Sequence, residues 1–138
     1  MSFESIERMI RDTFETEEFI RHNQIGIHLL EQDHVQLSMS VAPFQRNHHG
    51  MLHGGFMVML ADTAAGLAAY TDGRRYVTQS QNFTFLRAAA QGPVIADARV
   101  VHRGGTVVVL QTDVTDPQGK LVGTGTFQMY ALKTSAEN

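Results

Sequence analysis

The sequence predicts an α+β domain in which an antiparallel sheet covers one long apolar helix. Three observations carry that expectation. The stretch HGGFMVMLADTAAGLAAY, His53 to Tyr70, is apolar nearly all round, and Asp62 is the only charged residue between Gly54 and Ala69. A helix of that kind is wrapped by the rest of its own protein. Six other segments alternate apolar and polar residues as half-buried strands do, and most are joined by short polar, glycine-rich breaks. Strands consecutive in sequence with tight turns give a mostly antiparallel sheet, and one face of it must cover the helix. At 138 residues, the chain is expected to form one domain over 1–138, because a second would leave neither half a normal core.

The elements follow in order. An N-terminal helix is expected over 1–22, since Phe3, Ile6, Met9, Ile10 and Phe14 fall on one stripe with charges between them. Next, Ile25, Ile27 and Leu29 alternate, Gln32-Asp33 makes a turn, and Val35, Leu37, Met39 and Val41 alternate again. That is a hairpin, and with it the sheet core expected over 25–132 begins. Pro43 ends the hairpin, and APFQRNHHGML is a loop into the apolar helix. Four strands are expected after TDGRR, within YVTQSQNFTFL, VIADARVVH, TVVVLQTDVT and LVGTGTFQMYAL. Asp116-Pro117-Gln118-Gly119 is a type I turn closed by glycine.

Composition narrows the function. With 43% hydrophobic residues the chain can fold without staples, and with no cysteine it has no disulfide and no Cys-ligated metal. That suits a reducing compartment, and a cytoplasmic protein is expected. A net charge of −3 gives no general drive towards nucleic acid. The charged N-terminal stretch has no apolar signal core. The run from Gly54 to Ala69 is short of the roughly 20 residues a membrane span needs, so no membrane association is expected.

Two features of the helix can carry chemistry. His53-Gly54-Gly55 opens it, and unpaired N–H groups in a first turn suit an oxyanion or a polarised carbonyl. The same glycines could instead serve packing alone. Asp62 is costly in apolar surroundings unless it is paired. It is either a structural aspartate bonded to backbone, bonded to Thr63 or facing a wet groove, or a nucleophile or general base.

Gly54 and Asp62 are eight residues apart, roughly 12 Å along the helix axis and about 80° around it. A reacting carbonyl must lie about 3 Å from both its oxyanion donor and its attacking group. One helix cannot supply both, whereas two antiparallel copies can, so joint action of the two residues implies a site across a twofold interface. Asn47, His48, His49 and His53 complete the local polar set. Zinc is not expected, since no cysteine and no acidic residue other than Asp62 lies nearby. Asn47 could bond a substrate carbonyl or orient a water, His53 could brace the loop or contact substrate, and Thr78 could bring a hydroxyl to the carboxylate.

The pattern N-x-x-G-x-L-H-G-G-x-x-x-x-L-x-D-x-A is complete as Asn47, Gly50, Leu52, His53, Gly54, Gly55, Leu60, Asp62 and Ala64. It resembles the hotdog-fold acyl-CoA thioesterases, specifically the phenylacetic-acid-pathway (PaaI-like) branch. QNFTFLRAA, VVHRGG and the GTGTF strand extend the resemblance from about Gly26 to Leu132. It implies a curved antiparallel sheet wrapped around a central helix, active sites between paired subunits, and a homo-oligomer that is a dimer of dimers. It further implies that the Gly54 N–H polarises the thioester carbonyl of an acyl-CoA. Asp62 of the partner subunit would then attack that carbonyl or activate a water.

By the same resemblance Asn47 and His53 assist, Thr78 positions the water, and no cofactor is needed beyond the coenzyme A thioester itself. The coenzyme A phosphates need cations and N–H donors. Arg87, Arg103, Gly55 and Gly104 are the candidates, with Arg74 and Arg75 behind them, although strand-end arginines can also be simply solvated. Phe56, Met57, Met59, Phe14 and Phe19 are candidate acyl-pocket residues. An aryl- or medium-chain acyl group is expected. The alternatives are an acyl-thioester hydratase or dehydratase using His53 with Asp62, and a non-catalytic acyl-CoA binder.

Overall fold

A computed structural model describes residues 1–133; residues 134–138 of the expected domain lie outside the described residues. In chain order the elements are α1 (Phe3–Thr16), α2 (Glu18–His22), β1 (Ile25–Glu31), β2 (His34–Met39), α3 (Gly54–Tyr70), β3 (Tyr76–Phe85), β4 (Val94–Arg103), β5 (Val107–Thr115) and β6 (Leu121–Ala131), with a single 3-10 turn at Pro43–Gln45. The six strands form one sheet in the order β1-β2-β4-β5-β6-β3, and every neighbouring pair is antiparallel. β1 and β3 are therefore its edges.

Period-two alternation sends one set of side chains from each central strand onto α3. Val35, Leu37 and Met39 of β2, Ala96 and Ala98 of β4, Val108, Leu110 and Val114 of β5, and Phe127 and Met129 of β6 are all buried. They meet Met57, Leu60, Ala61, Ala64, Ala65 and Ala68 of α3, also buried. Four of those six are alanines, which let the helix axis sit close to the sheet, while Leu60 fills the space between. Truncating Leu60 would remove about 2–5 kcal/mol of stability by the usual cost of a cavity at a fully buried leucine.

The cover is one-sided. Val58, Met59, Asp62, Thr63, Gly66 and Tyr70 remain partly exposed on the opposite face of α3. Among the described residues no helix is long and apolar enough to cross a membrane.

The Gln32-Asp33 and Asp116–Gly119 turns form where expected. Asp33 adopts φ 64° and Gly119 φ 82°, and the Gly119 N–H donates to the Asp116 carbonyl at 2.9 Å. The N-terminal region differs from the single helix expected over 1–22. It breaks at Glu17, which is extended at φ −75°, ψ 121°. The reason is spacing. Ile6, Ile10 and Phe14 repeat every four residues, but the next buried residue, Ile20, comes six later. An unbroken helix would carry Ile20 about 240° round from Phe14, and the break turns it inward instead.

Candidate active site

The loop before α3 is held by side chains. Buried Gln45 accepts from the Ala42 N–H at 2.8 Å and donates to Asn23 Oδ1 at 2.9 Å, and its carbonyl accepts from the His53 N–H at 2.8 Å. Arg46 donates to the carbonyls of Gly50 and Ala90 at 2.6 and 2.7 Å. Asn47 Oδ1 accepts from the His49 and Met51 N–H groups at 2.9 and 3.1 Å. That leaves the Asn47 side-chain amide nitrogen with no acceptor among the described residues.

This rigid loop delivers His53 as the N-cap of α3, with extended backbone and no side-chain capping bond. Serine, threonine, aspartate or asparagine would normally fill such a position and accept from the first turn. Here the Phe56 and Met57 N–H groups donate to the His53 carbonyl, while those of Gly54 and Gly55 find no acceptor among the described residues. Gly54 is also close to the exposed Phe85 side chain, which would have to give by a few tenths of an ångström for a larger residue. A Cβ there would lie 3.1 Å from the Phe85 ring. A cavity of about 500 Å³ opens at this end of α3, lined among others by Asn47, His49, Gly54, Met57, Phe85 and Arg87.

Asp62 lies two turns further along, on the face that the sheet does not cover. Thr78 Oγ1 donates to Asp62 Oδ1 at 2.7 Å. A local irregularity of β3 makes that bond possible. Thr78 pairs with Met129 and Ser80 with Gln128, so Gln79 is an extra residue opposite no partner. Such a bulge bends a strand and re-aims its side chains. Asp62 and Thr78 border a second cavity, of about 280 Å³, together with Phe14, Thr63, Gly66 and Met129. The two cavities share no lining residue. Asn47, His53, Gly54, Gly55 and Arg87 thus gather at the start of α3, Asp62 and Thr78 at its middle, and one chain keeps the two groups apart.

Two expected coenzyme A contacts are corrected by the geometry. Arg103 is not a solvated strand-end cation. All three of its guanidinium nitrogens are used: Nη2 and Nε on Asp33 at 2.7 and 3.2 Å, Nη1 on Asp72 at 2.7 Å, and Nη2 and Nη1 on the Ala68 and Ala69 carbonyls at 3.1 Å each. A cation at the carbonyl end of a helix, with two carboxylates around it, has no donor left for a phosphate. Gly104 offers no free N–H either, since it donates to the Val107 carbonyl at 2.9 Å. Arg74 donates to the Gly104 and Gly105 carbonyls and pairs with Asp72.

This cluster sets its own ionisation. Burial works to raise the Asp72 pKa, but hydrogen bonds from Tyr76 and Arg74 and the Arg103 charge outweigh it and lower it below the ordinary value. Burial, and then the hydrogen bond to Asp72, push the Tyr76 hydroxyl up to about 12. Among the candidate acyl residues, Phe14 borders the Asp62 cavity. Phe19 does not, and lies in a surface groove with Glu18, Arg21 and His22.

The thioesterase superfamily model matches residues 49–123, just over half of the chain. A Saccharolobus solfataricus protein described as an esterase is 34% identical over 90 residues, a match spanning 64% of either chain and so just under two thirds of that relative. The acyl-coenzyme A thioesterase PaaI of Escherichia coli is 31% identical over 101 residues, 71% of this chain and 72% of that one. The solved structure of PaaI superposes with a TM-score of 0.88 over 93% of this chain and 94% of its own, at 24% identity. That likeness extends to the hotdog fold, with its sheet wrapped around one helix. A Streptococcus mutans protein solved bound to acetyl CoA is 28% identical, with a TM-score of 0.75 over 78% of this chain and 88% of that chain.

Proposed function

The chain belongs to the thioesterase superfamily and is a thioester hydrolase, and we propose that it cleaves an aryl- or medium-chain acyl-CoA at a site shared by two copies of itself. The observation that carries this reading is the division of the site. Uncapped N–H groups and a lone carboxylate sit on one helix in separate cavities, about 12 Å apart along the axis. A carbonyl reached by both needs a second α3 running the other way.

The uncovered face of α3 and the β3 edge support that pairing. β3 has a neighbour on one side only, and Val77, Phe85 and Leu86 are exposed there. An edge with unpaired backbone and apolar side chains invites another strand. A homodimer joined about this edge, assembling further as a dimer of dimers in the cytoplasm, is the form we propose.

The chemistry then follows from charge. The Gly54 N–H and the positive end of the α3 dipole stabilise negative charge developing on the thioester oxygen. The partner's Asp62, steadied by the Thr78 hydroxyl on one oxygen, either attacks the carbonyl carbon or takes a proton from the water that does. The tetrahedral centre collapses with cleavage of the C–S bond. Coenzyme A leaves as a thiolate and is protonated, and the acid is released after water has supplied its second oxygen. No cofactor enters, because a carboxylate, N–H donors and water supply every step.

The Asn47 amide nitrogen assists at the oxyanion, His53 holds the loop, Arg87 takes a phosphate, and Gly55 lets the ligand approach the backbone. Hydration or dehydration through a His53–Asp62 pair within one chain gains no support, because they stand nine positions apart, His53 at the start of α3 and Asp62 at its middle. The test is thiol release across a panel of aryl and straight-chain acyl-CoAs. Stoichiometric free thiol and free acid are expected. A product with its thioester intact, or binding without thiol at any chain length, would contradict hydrolysis.

A further inference from the structure

Behind the Asp62 cavity lies a third cavity, of about 300 Å³, between α1 and the C-terminal half of α3. Met9, Ile10, Thr13, Gly73, Arg74 and Arg75 line its far side. Phe14, Glu17, Leu67 and Tyr70 line both cavities, so the two spaces stand back to back across these four side chains. Glu17 is exposed and stands at the rim. Leu67 and Tyr70 belong to α3 itself, and the Tyr70 hydroxyl is tied to the Tyr76 carbonyl at 3.0 Å. Phe14 is different. It reaches in from α1, is 5% exposed, and stands two residues before that helix ends at Thr16.

The near cavity is kept open by a missing side chain. Gly66 lies one turn after Asp62 on the same face of α3, and a Cβ added there would meet nothing within 4 Å. Glycine inside a helix costs about 1 kcal/mol relative to alanine. Among the described residues no close backbone approach requires it at this position. Space beside the carboxylate is what it leaves.

We propose that Phe14 is a specificity-determining residue, the end wall that limits how long an apolar acyl group can lie beside Asp62. The inference rests on the hydrolase reading for the identity of the ligand. An acyl group whose carbonyl sits at Asp62 extends past Gly66 until it meets the Phe14 ring. Beyond the ring lies an unfilled space with a mostly apolar surface, from Met9, Ile10, Leu67 and Tyr70, although Thr13, Glu17, Arg74 and Arg75 also line it. Truncating Phe14 joins the two cavities and admits further methylenes, each stabilised by leaving water.

The experiment compares the natural protein with Phe14→Ala and Phe14→Leu on straight-chain acyl-CoAs from four to sixteen carbons. It records kcat/KM by thiol release and, in the Asp62→Asn background, Kd by calorimetry. Thermal unfolding is followed for every variant. In Phe14→Ala the long-chain to short-chain ratio of kcat/KM should rise by about tenfold or more, the scale on which hydrophobic pockets discriminate by methylenes. The Kd ratio should move the same way. Phe14→Leu, which keeps most of the volume, should give a smaller shift in the same direction and serves if the alanine variant does not fold.

A folded variant with an unchanged length profile in both readouts overturns the proposal. If no protein releases thiol yet the Kd profile shifts, the hydrolase reading fails and the end-wall assignment stands.

Discussion

The two ends of α3 are finished in opposite ways. At the C-terminal end the Ala68 and Ala69 carbonyls accept from Arg103, the Thr71 hydroxyl also donates to Ala68, and Asp33, Asp72 and Tyr76 surround the guanidinium. At the N-terminal end the Gly54 and Gly55 N–H groups have no acceptor among the described residues, and Gly54 faces an open cavity. A helix end left unfinished sacrifices the stability a cap would add, about 1 kcal/mol. What it keeps is a pair of aligned donors. The C-terminal end ties β4, the β1–β2 turn and the 71–76 loop to the helix.

Breaking the comparison at its most sensitive point means removing the carboxylate that the N-terminal donors are proposed to serve. Asp62→Asn should lower thiol release by about a thousandfold or more, as loss of a nucleophile or base does, with the melting temperature retained. Normal turnover would remove Asp62 from the chemistry. At the finished end, Arg103→Ala strands two carboxylates and two helix carbonyls. It should cost about 2–3 kcal/mol by chemical denaturation, as lost hydrogen bonds to charged groups do, while leaving the KM for acyl-CoA unaltered in the folded fraction. A raised KM with undiminished stability would return Arg103 to the coenzyme A site.

Arg87→Ala is the mirror experiment. KM should rise by about tenfold, the weight of one charge-assisted phosphate contact, and the melting temperature should hold. The smallest effect is alkaline. Tyr76 titrates near 10 when unfolded and about 12 when folded. Its contribution is therefore complete below pH 10 and is lost as pH rises from 10 to about 12. Tyr76→Phe should flatten the fall in denaturation midpoint over that window, and an unchanged slope would show that Tyr76 does not control it.

What was legible in the sequence was whatever depends on neighbours along the chain. The alternation of Val35, Leu37 and Met39, the Asp116–Gly119 turn and the apolar run of α3 are local patterns, and each became the element it implied. Asp62 was legible as well, since a lone carboxylate in apolar surroundings stands out. What the sequence hid was contact at a distance. Arg103 pairs with Asp33, seventy residues away, and Asp72, thirty-one away. No spacing rule distinguishes it from Arg87, and both read as strand-end cations. The Gln79 bulge is equally silent, because the extra residue is defined only by the register of β3 on β6. The break at Glu17 was readable in principle, from the six-residue step between Phe14 and Ile20.

The central claim is that donors and carboxylate act on one carbonyl only across two chains, and mixing two inactive proteins tests it. Gly54→Pro removes the N–H at the first helical position, where proline is tolerated. His53, at φ −61° and ψ 134°, already has the backbone that precedes proline. Alone, Gly54→Pro and Asp62→Asn should each be nearly inactive. Dissociated, mixed in equal amounts and reassociated, half of the dimers should be mixed, each with one intact site, restoring about a quarter of wild-type activity by twofold symmetry. A mixture no more active than its components would place both groups' work within a single chain and contradict the account.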